Sequence, residues 1–456
     1  MRDAWAMAKA IASGELSAVE AVGQALAVVE RDDPAVNAFT LVRKTDALAE
    51  AAEVDAGRRL GRLAGVPISV KDHVWVAGLP ATNGSRALAD HVAPRSCVCV
   101  ERLIDAGAIV IGKTNNPEFC YRGSTSNELF GTTVNPSDHS RTAGGSSGGA
   151  AASVAAGMVP LAVGTDGGGS IRIPSAFCGV AGHKPTFGLV PKLPGFRGWP
   201  TLSVTGPIGV SVRDLALALD VMAGPAPEDP LSYPSPSGGY AEGVLTVDPD
   251  GLRGLRVAVS EDLGVADIDD DVRRSFRQVV AQLAGAGTAY VEAHPQAGDP
   301  IPVWEAVALP EGEASEGPVL EESPGMVGPD AAALIRAGVV SAREYLDAQT
   351  RRGEFAAVWQ EFFTSYDVLL APTMPVTAFA ADRLGPETIG GQRVPDGFDA
   401  WCGALALPAN LAGLPALTLP IAPGRDGLPV GLQVIGPRWA DRWVLRVGAA
   451  IEALIR

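Results

Sequence analysis

Three glycine-rich stretches hold the residues whose type and spacing suit chemistry. In Gly164-Thr165-Asp166-Gly167-Gly168-Gly169-Ser170-Ile171-Arg172, three glycines lead into a serine. A backbone without Cβ atoms lets a ligand come close. The successive N–H groups of Gly167, Gly168, Gly169 and Ser170 can face one concavity, as in an oxyanion hole. Plain loops carry such runs too, so the pattern alone decides nothing. A second stretch, Gly144-Gly145-Ser146-Ser147-Gly148-Gly149, contains G-x-S-x-G, the turn that exposes the nucleophile of α/β-hydrolases. That enzyme type needs an acid and then a histidine downstream. Only His183 and His294 follow, and no HGGG-type loop is present, which disfavours a histidine-based esterase. A glycine turn at a helix start presents N–H donors in either case.

The third stretch, Gly107-Ala-Ile-Val-Ile-Gly112-Lys113-Thr114, matches the phosphate-loop pattern G-x-x-x-x-G-K-[ST] letter for letter. Its four middle residues read as a strand, whose N–H groups are committed to a sheet, and Pro117 follows closely. A helix–strand junction is the better reading. Lysine usage points elsewhere. Only Lys9, Lys44, Lys71, Lys113, Lys184 and Lys192 stand among 36 basic residues. Arginine keeps its proton in a protein, whereas a buried lysine can lose it. The apolar run VPISV (66–70) leads straight into Lys71, a place where a neutral amine can be made; an ordinary strand-end pair of Lys71 with Asp72 is the alternative.

The elements around these stretches alternate. Residues 1–60 read as helices, with Ser17 and Glu20 forming a capping box for a helix running toward Glu30. Strands are expected at 66–70, 108–112, 159–166, 255–260, 288–293 and 366–373, and helices at 97–106, 149–157, 214–223, 270–285 and 341–364. This alternation predicts an α/β fold: one large domain spanning 1–456, with a central mixed, largely parallel β-sheet flanked by helices. Residues 65–215 form the catalytic core of that reading. The Pro/Ser/Gly-rich stretch within 225–245 is a linker or surface loop. Residues 294–330, rich in Glu, Pro and Gly, show no clear period and are candidates to line a substrate pocket.

Composition excludes several function classes. Hydrophobic residues make up 47%, enough for a sizeable core, while 54 glycines and 36 prolines imply many tight turns without reaching the level of disorder. A net charge of −16 repels phosphate backbones, so no nucleic-acid partner is expected. Five scattered cysteines without C-x-x-C spacing read as reduced thiols. The N-terminus lacks the pattern of a signal peptide, and no run approaches 18 apolar residues. A cytoplasmic location with no membrane partner is the expectation.

The stretch GGSSGGAAASVAAGMVPLAVGTDGGGSIRIPSAFCGVAGHKPTFG (144–188) resembles the defining segment of the amidase signature family. Supporting similarities are VPISVKD (66–72), GAIVIGKTNNPEF (107–119), FGTTVNP (130–136), YDVLLAPTMP (366–375) and GLPVGLQVIG (427–436). The resemblance covers nearly the whole chain, and the 24-residue separation of Ser146 and Ser170 fits it. It implies an amidase signature fold and cleavage of carboxamide C–N bonds. It implies Lys71 as base, Ser146 as the bridging serine held by a cis peptide bond, and Ser170 as the acyl-enzyme nucleophile. The oxyanion hole would come from Gly167, Gly168, Gly169 and Ser170, with Ser147, Asp166 and Arg172 in support. The implied chemistry needs no cofactor and no metal; the implied partner is a small-molecule amide, and a homodimer is compatible with the reading. The segment 189–209 looks more like free-standing amidases than like the glutaminase component of glutamyl-tRNA amidotransferase, the alternative within the family. Gly167, where many relatives have threonine, does not separate the two.

Overall fold

The computed structural model describes residues 2–236, 238–245, 252, 254–394 and 399–455. Among these, one 11-stranded sheet organises the chain. Its strands are β1 (Phe39–Val42), β2 (Pro67–Lys71), β3 (Ile109–Thr114), β4 (Leu161–Asp166), β5 (Ala181–Lys184) and β6 (Val204–Gly209), followed by β7 (Val257–Val259), β8 (Tyr290–Glu292), β9 (Val368–Pro372), β10 (Ala416–Ile421) and β11 (Val430–Ile435). The spatial order is β1-β3-β2-β4-β6-β5-β10-β11-β9-β7-β8. The α/β expectation of one large domain with a mixed sheet flanked by helices holds. Its parallel pairings, β2 with β3 and β4, and β7 with β8 and β9, lie on two flanks. The strands between these flanks pair antiparallel. Parallel neighbours need long crossovers, which helices supply on the flanks. In the middle, β10 and β11 are joined by a short connection that permits only the antiparallel pairing.

The strand interiors form the core. Ile68, Val70, Leu161, Val163, Leu417, Leu432 and Val434 are all buried, each worth about 1.5–3 kcal/mol relative to exposure. Helix Ala18–Val36 starts on the expected Ser17–Glu20 capping box and runs beyond Glu30. Helices Val98–Asp105, Gly148–Ala155, Val212–Met222, Asp270–Gly285 and Ala342–Ser365 lie where the apolar periodicity places them. The stretch from Pro225 leads through turns into helix Tyr240–Leu245, whose first amides donate to Asp220 at 2.6 and 3.2 Å. Arg102 fastens it further by donating to the carbonyls of Met222, Ala223, Gly224 and Pro225.

Two expectations need correction. The first 60 residues are not all helical: β1 pairs antiparallel with β3 at the sheet edge. Residues 294–330 do have a period. They hold helix Ile301–Glu322 and the start of helix Pro329–Ala337. The buried positions of the first, Trp304, Val307, Ala308, Glu311, Gly312, Glu316, Gly317 and Leu320, have helical spacing. Half of them are glutamate or glycine, so an apolar pattern never forms. Among the described residues no helix is long and apolar enough to cross a membrane.

Candidate active site

β2 and β4 are parallel neighbours with Val70 opposite Val163, so their C-terminal ends leave the sheet on the same edge. That edge is where ligands usually sit in α/β sheets. Lys71 ends β2 and is fully buried. Its Nζ donates to Ser146 Oγ at 2.7 Å and to Thr165 Oγ1, near the end of β4, at 2.8 Å. Ser146 arrives in the loop before helix Gly148–Ala155, and the Gly145–Ser146 peptide is cis. That helix can approach the strands because its early residues are glycines. A Cβ at Gly149 would lie 2.5 Å from the Ala38 carbonyl oxygen.

Ser147 stitches the two serine-bearing segments together. Its N–H donates to the Ser170 carbonyl at 3.1 Å. Its hydroxyl donates to the Thr165 carbonyl at 3.1 Å and accepts from the Thr165 N–H at 3.2 Å. Ser170 therefore lies against the residue that follows Ser146. Lys71 and Ser146 are 0% exposed, while Ser170 keeps 7%. Of these three side chains it alone is open to a reactant.

The loop from Gly167 to Ser170 is held from below. Asp166 and Arg172, both fully buried, form a two-pronged ion pair with contacts of 3.0 and 3.0 Å. Asn410 Nδ2 donates to the Asp166 carboxylate at 2.9 Å, and Arg172 donates to Asn410 Oδ1 at 2.6 Å and to Gln433 Oε1 at 2.7 Å. Burial alone would raise the Asp166 carboxyl pKa. The Arg172 guanidinium, aided by Lys184 and Asn410, outweighs it and holds the carboxyl well below the usual range. The same carboxylate accepts the Gly169 N–H at 2.8 Å and the Ile171 N–H at 3.2 Å. This corrects the expectation for Gly169: its N–H is spent on Asp166 and is not available to an oxyanion. The N–H groups of Gly167, Gly168 and Ser170 find no acceptor among the described residues.

Burial lowers the Lys71 pKa, opposed by Cys120 and by Asp166. Cys120 is a residue that sequence reasoning missed. Burial pushes its thiol up, but Lys71, His73 and Ser146 outweigh this and leave it at about 7. Phe119 and Cys120 both have left-handed backbone, φ +50° and +65°, which turns the sulfur toward Lys71. Thr165, Asn410 and Gln433 were also unassigned, although Gln433 lies inside the family-like segment 427–436.

The competing motifs go elsewhere. Residues 109–114 are β3, and Lys113 Nζ donates to the carbonyls of Asp72, Val74 and Pro80 at 3.0, 2.9 and 3.2 Å. The Lys113 ammonium therefore braces the chain after β2. His183 Nε2 pairs with Asp441 Oδ1 at 3.0 Å, in a cluster with Thr186. His294 contacts its own segment and Gly264. Among the described residues no group of three His, Cys, Asp or Glu side chains is placed to hold a metal ion.

A family model described as Amidase matches residues 20–315 and 327–445. The chain belongs to the amidase signature family. An acylamidase from Rhodococcus erythropolis is 38% identical over 459 residues, covering 98% of this chain and 94% of its own. The glutaminase component (the "A" polypeptide) of a glutamyl-tRNA(Gln) amidotransferase from Chloroflexus aurantiacus is 36% identical over 475 residues, covering 98% of this chain and 95% of its own. A solved bacterial aryl acylamidase of this amidase family matches with a TM-score of 0.91 at 29% identity, over 99% of this chain and 96% of that one. The family's known members thus include both free-standing amidases and amidotransferase components.

Proposed function

We propose that this chain hydrolyses carboxamides through an acyl-Ser170 intermediate, with Lys71 as the base acting through Ser146. The observation that carries this is a fully buried lysine 2.7 Å from a fully buried serine hydroxyl, beside one serine that remains reachable. A serine hydroxyl is a weak nucleophile until a neighbouring base takes its proton. Lys71 can serve only when unprotonated, and its burial favours that form. The Ser146 hydroxyl is both donor and acceptor. It passes the Ser170 proton to Lys71 as Ser170 Oγ attacks the carbonyl carbon. The N–H groups of Gly167, Gly168 and Ser170 receive the developing oxyanion. The proton then returns through Ser146 to the leaving nitrogen, the C–N bond breaks, and water hydrolyses the ester. Ser147, Asp166 and Arg172 hold the loop in register.

A second reading, the glutaminase component of an aminoacyl-tRNA amidotransferase, rests on the identity to the Chloroflexus protein. Glutamine would need partners for its α-ammonium and α-carboxylate. The side chains against the glycine run are instead Trp199, Trp304 and Leu407, which favours the free-standing reading.

The relay is tested with an amide and an activated ester that share one acyl group. An amide expels its nitrogen only when that atom is protonated, whereas a phenoxide needs far less help. General acid–base groups contribute about 10²–10⁴ in rate. Lys71→Ala should therefore lower amide turnover at least about tenfold more than ester turnover where acylation limits the rate. Equal losses would remove Lys71 as the leaving-group acid.

A further inference from the structure

Three aromatic side chains gather beside the glycine run. Tyr121 stacks on Trp199 with ring centroids 5.5 Å apart and planes 11° from parallel. Trp199 meets Trp304 edge-on at 5.0 Å. Both indoles touch the loop that precedes Ser170. Trp304 Nε1 donates to the Gly167 carbonyl at 3.0 Å. A Cβ at Gly167 would lie 2.5 Å from Trp199 Cε3, and one at Gly168 would lie 3.2 Å from Trp304. On the other side, a Cβ at Gly312 would lie 2.5 Å from the Tyr121 hydroxyl and 3.4 Å from Trp199 Nε1. The rings hold this arrangement only because positions 167 and 312 carry no side chain.

The same three rings, with Ala308, Leu309 and Leu334, line a cavity of about 250 Å³. Arg122 and Asp330 also line it, ion-paired at 2.7 Å. The polar ends of two rings are already engaged: the Tyr121 hydroxyl donates to Glu316 at 2.7 Å, and the Trp304 N–H is held by Gly167. What the cavity offers is mainly ring faces and aliphatic carbon. An apolar cavity of about 150 Å³ is enough to admit benzene, and ring–ring contacts reward a flat aromatic guest.

We propose that this cavity is the subsite for a planar aromatic or comparably bulky apolar group of the amide substrate, with Trp199 and Trp304 as its specificity-determining side chains. This rests on the amidase reading above and adds the substrate class to it. A guest packed on these indoles lies one ring away from the N–H groups of Gly167 and Gly168. Gly167 matters twice: its N–H faces the reaction, and its missing side chain makes room for Trp199.

The test compares kcat/KM for acetamide and propionamide with that for benzamide and phenylacetamide, whose ring is on the acyl side, and acetanilide, whose ring is on the amine side. At least one ring-bearing series should exceed the small amides by at least about tenfold, given what single apolar groups contribute in a fitted pocket. Which series does so assigns the cavity to the acyl or the amine half. Trp199→Leu, and separately Ala333→Trp, should each cut that selectivity ratio by at least about tenfold. Ala333 lies at an exposed helical position on the cavity wall, so the larger side chain narrows the cavity without disturbing the core. A wild-type preference for the small amides, or a ratio unmoved by both substitutions, would overturn the subsite and leave the amidase reading intact. Failure to cleave any amide, with no acylation of Ser170, would overturn both.

Discussion

Replacing Asp166 with alanine separates what holds the glycine loop from what reacts on it. Asp166 is fully buried and accepts from Arg172 twice, from Asn410, and from the N–H groups of Gly169 and Ile171. Asp166→Ala leaves the Arg172 charge buried with only Asn410 and Gln433 as acceptors. Breaking a buried ion pair from one side costs about 3–5 kcal/mol, a factor of about 10²–10³ or more in the folded-to-unfolded ratio. It also frees Gly169 to rotate, which misaligns Gly167, Gly168 and Ser170. Loss of a single oxyanion donor costs about 10²–10³ in kcat. Urea unfolding followed by tryptophan fluorescence reads the first effect, and hydrolysis of an activated ester by the folded fraction reads the second. Asp166→Asn with Arg172→Met should cost less stability than Asp166→Ala alone, because no uncompensated charge remains. The folded-state pKa of Asp166 lies below its ordinary 3.8. Its contribution is therefore fully present above that pH and fades as the pH falls below it. An Asp166→Ala protein within about 1 kcal/mol of wild type and with full kcat would refute this reasoning.

Two further outcomes follow from the buried cations. Activity should rise toward alkaline pH as Lys71 deprotonates, and Cys120→Ala should move the acidic limb of kcat/KM to lower pH, because it removes a group that raises the Lys71 pKa; a limb that stays put or moves up would contradict the assignment. Lys113→Met should lower the urea midpoint, since three carbonyls lose a donor at about 1–3 kcal/mol each, while ATP should neither bind nor stabilise the wild-type chain; saturable ATP binding lost in Lys113→Met would restore the phosphate-loop reading.

Much of the site was legible because its residues sit in dense local motifs. Lys71 ends an apolar strand, and Ser146, Ser147, Asp166, Ser170 and Arg172 lie within 27 residues of one another. Asn410 and Gln433 were not legible. They reach Asp166 and Arg172 from 244 and 261 residues away in sequence, from elements with no chemical signature of their own. The Gly169 correction has a similar cause, since a sequence shows an N–H but not the carboxylate that claims it. Cys120 read as an inert thiol because no residue pattern announces two consecutive left-handed residues. In the fold, β1 is too short to interrupt the helical reading around it. Helix Ile301–Glu322 hid because Glu311 and Glu316 occupy its buried face. They are satisfied there by Thr201, Tyr345 and Tyr121 from other segments.

The central claim is that the reaction passes through a covalent bond to Ser170. A fluorophosphonate probe followed by peptide mass mapping tests it directly. The account predicts a single adduct on Ser170 in the wild-type chain, strongly slowed labelling in Lys71→Ala, and none in Ser170→Ala. Labelling at Ser146 or Ser147, or full amidase activity in Ser170→Ala, would contradict it.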